Sequence, residues 1–277
     1  MSIDIDFLSQ CYFTFDEPVP YKVNNGEILI SPIKLKTSGI FLSSIDILGI
    51  DKNSSSNVEI IQMSYLQFIV KCLLKESKSK EVHKQKLFNI LFMCLGMKQP
   101  GIKFDNLGNP LIYDIPTGIE ITSKQFDDIK RIIMYQNILH YDDEYIDPEL
   151  KKAMAETDEI LNKGKIAPNL ERKIAIISAH NGFSKKDQLD MTYRSHCLLF
   201  EEVCGEVNYL SVRPGVIACS GKDEVDSWIF KKEKNRFEGY VRSVDSYTES
   251  MGGAQAIRTT GTTVGDTYIQ QFNNFNK

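Results

Sequence analysis

Apolar positions along the chain change their period twice. Over residues 1–50 they gather in short runs broken by proline and glycine, and in "VPYKVNNGEILISPIKL" two such runs flank Asn24-Asn25-Gly26. Asn-Gly supplies the positive φ that a tight hairpin turn needs, so the pattern predicts β structure through about residue 50. Pro18, Pro20 and Pro32 keep the strands short or at an edge. The polar stretch "DKNSSSN", 51–57, is a loop.

From Val58 the spacing becomes helical. Ile61, Tyr65, Phe68, Ile69 and Cys72 share one face, widened by Leu66, Val70 and Leu73. A Lys-rich polar break at 75–86 precedes a second apolar helix through Leu87, Ile90, Leu91, Cys94 and Leu95, which stops before Pro100-Gly101. "IKFDNLGNPLIYDI" then predicts a small second hairpin. Thr122 stands three residues before Gln125, the spacing of a capping box, ahead of Phe126, Ile129, Ile132 and Ile133 on one face. That helix fades near Asn137.

Asp147-Pro148-Glu149 is a second helix start, with an acid cap and proline at the first helical position. Leu150, Met154, Ile160 and Leu161 form its stripe, and Gly164 is the C-terminal left-handed residue. A short helix carries Ile174 and Ile177 up to an Asn181-Gly182 turn. Ser184 with Asp187 caps a long helix bearing Leu189, Tyr193, Cys197, Phe200 and Cys204. Beyond Pro214 regularity decays, and "MGGAQAIRTTGTTVGDTYIQQFNNFNK" is almost free of charge and too poor in apolar groups to bury a core.

These elements predict an α+β chain in three parts. Residues 1–57 form a β-rich N-terminal region with a hairpin, and 58–210 a mostly helical body with a small inserted hairpin. Residues 211–277 are irregular and end in an extended arm, whose Tyr268, Ile269, Phe272 and Phe275 are the candidate partner-binding residues.

Composition narrows the classes of function. A net charge of −4 and a pI near 5.7 supply no general basic field for nucleic acid. The Lys runs at 75–86 and 231–236 are interleaved with Glu and read as solvated surface. Six cysteines without a C-x-x-C pair, most within apolar runs, fit reduced thiols packed as small hydrophobes. The N-terminus lacks the charged and apolar regions of a signal peptide, and the apolar runs are about half a membrane span. The expectation is a protein made in a cytoplasm, with no membrane partner.

The stretch "IKRIIMYQNILHYDDEYIDPEL", 129–150, gathers five carboxylates, a candidate metal or acid–base cluster. A calcium loop wants oxygen ligands at positions 1, 3 and 5 and glycine at 6, and neither the Asp142 nor the Asp143 register supplies them. Asp147 and Glu149 belong to a helix start, and Asp142, Asp143 and Glu144 to a solvated joint. Ser195-His196-Cys197 sets a nucleophile beside a base, but adjacent helical residues point about 100° apart. Cys197 and Cys204, seven residues apart, share a helical face and read as core. His180 has no second His or Cys at zinc spacing, and "GTTVGD" and "MGGAQA" lack the frame of a phosphate loop. No catalytic, cofactor or metal-ligating residue is assigned.

As a marker rather than a site, the same stretch is informative. A small hairpin leads to "ITSKQFDDIKRIIMYQN", an acidic joint with "YIDPELKKAM", then "NLERKIAIISAHNGFSKKDQLDMTYRSHCLLFEEV". The elements are Tyr135-Gln136-Asn137, Asp147-Pro148-Glu149, Leu170-Glu171-Arg172 and Met191-Thr192. This order resembles a family of tail and baseplate assembly proteins from large contractile-tailed phages, mostly those of Gram-positive hosts, over about residues 58–210. The resemblance implies no enzymatic activity and no cofactor. It implies binding to other baseplate or hub proteins, to the tape-measure protein, or to copies of the chain itself, in a virion assembled in the host cytoplasm.

Two alternatives stand beside it. A tail assembly chaperone would share the helical core but be absent from the finished particle. A small hydrolase or nucleotide-handling enzyme would draw a non-contiguous site from residues such as Asp142, Glu144, His180 and His196. Alanine replacement of those four separates that class, because lost function with folding and assembly intact would favour it.

Overall fold

The computed structural model describes residues 3–220, apart from 56, 76–77, 145 and 165, together with 225 and 229. The chain divides into two units, Met1–Pro148 with Ile166–Trp228, and Glu149–Lys165 with Ile229–Lys277.

The first unit is α+β, with two small antiparallel sheets among helices. It opens on α1 (Ile5–Cys11), capped by Asp4, whose carboxylate accepts the Phe7 N–H at 3.0 Å. The hairpin follows as β1 (Val19–Val23) and β2 (Gly26–Ile30). Val19, Val23, Ile28 and Ile30 point into the core. The register pairs Val23 with Gly26, so the loop residues are Asn24 and Asn25, and neither has positive φ. The unusual φ, 151°, falls on Gly26 after the loop.

β structure in the first fifty residues ends with that hairpin, which corrects the sequence expectation. Residues after it form a 3₁₀ turn at Leu35–Thr37, α2 (Ser38–Ser44) and α3 (Asp46–Gly49). The physical reason lies in Phe41, Ile45 and Leu48. Their i, i+4, i+7 spacing builds one buried helical face, which surrounding Gly and Ser obscure.

Helix α4 (Val58–Gln62) starts where predicted but stops at Met63. Ser64 and Gln67 form a capping box, each side chain bonding the other's backbone N–H, and restart the chain as α5 (Tyr65–Phe68). A π-helical turn, Ile69–Lys75, continues it. α6 (Lys80–Leu95) begins inside the expected Lys-rich break, because long charged side chains extend a helix while standing in solvent. Its Leu87, Ile90, Leu91 and Cys94 are fully buried. Gly96, at φ 66°, ends it.

The second hairpin is β3 (Pro100–Phe104) with β4 (Pro110–Asp114), and β5 (Glu120–Ile121) adds a third strand on β4. Thr122 and Gln125 form the predicted capping box of α7 (Ser123–Asn137). Phe126, Ile129, Ile132 and Ile133 lie in the same core as the N-terminal hairpin, α2, α5 and α6.

After Ile166 the first unit resumes with α9 (Leu170–Asn181), ended by Gly182 at φ 74°. Ser184 and Asp187 do cap a helix, but a short one, α10 (Lys185–Asp190). The long helix expected from Ser184 is interrupted at Met191-Thr192. There the Leu35 N–H bonds Met191 O at 2.8 Å and the Tyr193 N–H bonds Ile33 O at 2.7 Å, an antiparallel bridge between Lys34 and Thr192. Strand-like bonds from a distant segment replace helical ones. α11 (Tyr193–Ser220) then runs past the expected boundary near 210 with Pro214 inside it. A proline lacks the N–H for one helical bond, and here the helix continues around that loss.

In the second unit, α8 (Pro148–Leu161) starts at the predicted proline with Glu149 in its first turn, and Gly164 has φ 80°. The predicted arm, with Tyr268, Ile269, Phe272 and Phe275, lies outside the described residues.

Thr122→Ala removes the hydroxyl that accepts the Gln125 N–H, half of a box in which the Thr122 N–H donates to Gln125 Oε1. Urea denaturation should show a loss of about 1 kcal/mol. An unchanged midpoint would contradict a stabilising role for the box.

Candidate functional site on the polar face of α7

The face of α7 turned from the core carries Asp127, Asp128, Lys130, Arg131 and Tyr135 at helical spacing. Between them they meet three segments, the N-terminal hairpin, the start of α5 and the acidic joint. Asp127 accepts the Tyr65 N–H at 2.8 Å, which satisfies an open donor at the start of α5. Asp128 accepts the Tyr21 hydroxyl at 2.9 Å. The Lys130 ammonium lies 3.8 Å from the centre of the Tyr65 ring, and the Tyr65 hydroxyl is 2.9 Å from both Ile47 O and Ile50 O.

The acidic joint folds back on the same face. His140, at φ 59°, makes the reversal. Asp143 then takes Arg131 Nε at 2.5 Å, Arg131 Nη2 at 3.3 Å and the Tyr135 hydroxyl at 2.7 Å. Tyr141 packs edge-on against Tyr135, with ring centres 4.9 Å apart. Asp142 accepts the Glu144 backbone N–H at 2.8 Å. Asp142, Asp143 and Glu144 are exposed, as predicted. Asp143 is nevertheless part of an ordered clamp, which the sequence reading did not foresee.

Electrostatics follow from these contacts. Burial raises the Asp127 carboxyl against the Tyr65 N–H bond and Lys130. Burial lowers Lys130, with Asp127 opposing. Burial alone would raise Asp143, but the hydrogen bonds from Arg131 and Tyr135 outweigh it and hold the group below the usual range. Burial also raises Tyr65, and pushes Tyr141 up to about 12. Near neutral pH this leaves a carboxylate held ionised and phenols held protonated, a set suited to a clamp rather than to proton transfer.

The next two residues of α7 turn inward. Gln136 Nε2 donates to Glu17 O at 3.2 Å and Ile30 O at 3.3 Å. Asn137 accepts the Ile33 N–H at 2.7 Å and donates to Ile133 O at 2.9 Å. Both are buried. Tyr135 O accepts Arg194 Nη1 at 3.1 Å, so the Tyr-Gln-Asn trio reaches the N-terminal segment, the acidic joint and α11. A signal for the amides was present, since they continue the apolar face of Ile129, Ile132 and Ile133.

The other sequence candidates separate. Ser195 Oγ donates to Asp16 at 2.9 Å, and Thr192 Oγ1 donates to Asp16 at 2.6 Å. His196 is wholly buried, and His180 bonds Asn181 at 2.6 Å with Glu206 at 3.6 Å. Of the described cysteines only Cys94 is buried. Cys197 is partly buried and Cys204 exposed, which corrects their assignment to the core: the helix carries Cys204 to its outer surface.

Among the described residues no three His, Cys, Asp or Glu side chains gather as a metal-holding group, and no helix is long and apolar enough to cross a membrane. An open groove of about 890 Å³ lies between α9 and α11, lined by Pro168, Arg172, Ile176, Phe200 and Cys204 among others. No family model, curated protein or solved structure matches the chain.

Both Asp143 oxygens already hold donors, so a metal would have to displace Arg131 and Tyr135. Calorimetric titration with calcium, magnesium or zinc should show no tight site at 142–144. A micromolar site abolished by Asp143→Asn would contradict the clamp.

Proposed function

We propose that the chain is a structural or assembly protein of a contractile phage tail, in the baseplate or hub, working through protein–protein contact. Its partners on this reading are other tail and baseplate proteins, including the tape-measure or hub proteins, or copies of itself. The motif order from the second hairpin to Met191-Thr192 supports the reading. So does the use of its polar residues, which fasten segments of the chain to one another.

The observation that carries it is the outer half of α11. Val207 is 47% exposed, Leu210 57% and Ile217 39%, and from 207 to 220 the helix holds a single charge, Arg213. Spacings of three and seven put these side chains on one face, a continuation of the buried Val203. Contiguous exposed apolar surface of this kind marks an interaction site. The segment 251–277, almost free of charge and carrying Tyr268, Ile269, Phe272 and Phe275, is the proposed docking arm on sequence grounds.

The test is incorporation into tails. Leu210→Asp and deletion of 251–277 should each leave the urea midpoint of the body unchanged and abolish copurification with intact tails. Normal incorporation of both variants would overturn the reading. Binding to tail proteins during assembly, with absence from purified virions by mass spectrometry, would instead identify a chaperone.

A further inference from the structure

Of the four histidines in the chain one, His196, belongs to α11, and two others, His140 and His180, meet its glutamates from neighbouring segments. His196 stands in the first turn of the helix, with 0% of its surface exposed. Neither ring nitrogen has a hydrogen-bond partner among the described residues. A neutral imidazole carries one donor and one acceptor, so the site already bears two unmet polar atoms. A proton would add a charge there with no acceptor to receive it. It would also lie at the positive end of a helix and face Lys173, whose ammonium rides 5.2 Å from the Phe200 ring centre. Burial first, and then Lys173, hold the His196 pKa below the ordinary histidine value.

Other polar groups meet α11 from the segments around it. From the segment after α7, His140 meets Glu201 at 2.9 Å, and from α9 His180 meets Glu206 at 3.6 Å. Asp16, from the N-terminal segment, holds Thr192 and Ser195, and from α7 the Tyr135 carbonyl holds Arg194. The side chains of the two His–Glu pairs are 70% and 38% exposed in one and 33% and 39% in the other, so solvent screens both. The buried imidazole of His196 has no such screening.

We propose that His196 makes the packing of α9 on α11 an acid-released joint, closed at neutral pH and opened by proton uptake, with α10 carried along by its contact with α9. The released element holds Gly182 between its two helices and ends at the extended break at Met191-Thr192. An accessible histidine titrates near about 6.5. The open state therefore binds more protons than the closed one below that pH. Closure is fully favoured above about 6.5 and weakens as pH falls beneath it.

Amide exchange on the full chain, corrected for intrinsic rates, tests this between pH 7.5 and 5. Protection across 170–190 should fall at least tenfold on acidification, while α6 and α7 keep theirs. His196→Leu should hold protection to lower pH, and Lys173→Met should move the opening to lower pH. Unchanged protection of α9 in the wild type at pH 5 would overturn the proposal, as would an unaltered opening midpoint in His196→Leu. Should His196→Leu fail to fold, titration of the wild-type imidazole by NMR decides. A midpoint below that of an accessible histidine supports the joint, and one equal to or above it overturns it.

Discussion

The Asn137 side chain closes the end of α7 onto the N-terminal segment. It is buried, it accepts the Ile33 N–H at 2.7 Å, and it returns a donor to the helix at Ile133 O. A buried amide leaves no neutral alternative, because an unmet donor or acceptor there costs about 1–3 kcal/mol. Gln136 beside it holds Glu17 and Ile30. The segment so fixed then offers Ile33 O and the Leu35 N–H to the break before α11. The direction of α11, and hence the surface it presents, depends on this chain of bonds.

The acidic joint that invites a catalytic reading is a second fastening of the same helix. Asp143 closes on Arg131 and Tyr135, and Tyr141 packs on Tyr135. Perturbed ionisation is a usual sign of an active site, but ion-pair networks produce it too. Here each shifted group on the face of α7 has a structural partner. Elsewhere in the first unit, the outer half of α11 exposes Val207, Leu210 and Ile217 with a single charge, Arg213, and an open groove lies between α9 and α11.

Local signals were legible in the sequence and distant ones were not. The capping boxes at Thr122 and Ser184, the stop at Gly182 and the start at Pro148 all depend on neighbours within a turn, and each appears where expected. Phe41, Ile45 and Leu48 were missed because Gly and Ser around them read as breakers. The interruption at Met191-Thr192 had no local signal, since its partners are Ile33 and Leu35. The clamp at Asp143 depended on a left-handed His140, which few residues adopt and no pattern announces. Gln136 and Asn137 were visible as polar positions on an apolar face, but their partners lie in the N-terminal hairpin and the strand-like segment after it.

The most direct measurement is urea denaturation of Asn137→Ala, with amide exchange at Ile33 and Tyr193. If the amide fixes the N-terminal segment on α7, stability falls by about 1–3 kcal/mol. Protection should then drop at Ile33, whose bond is deleted, and also at Tyr193, whose bond is not. A loss below about 0.5 kcal/mol, within the ordinary range of a surface substitution, with both amides still protected, would contradict it.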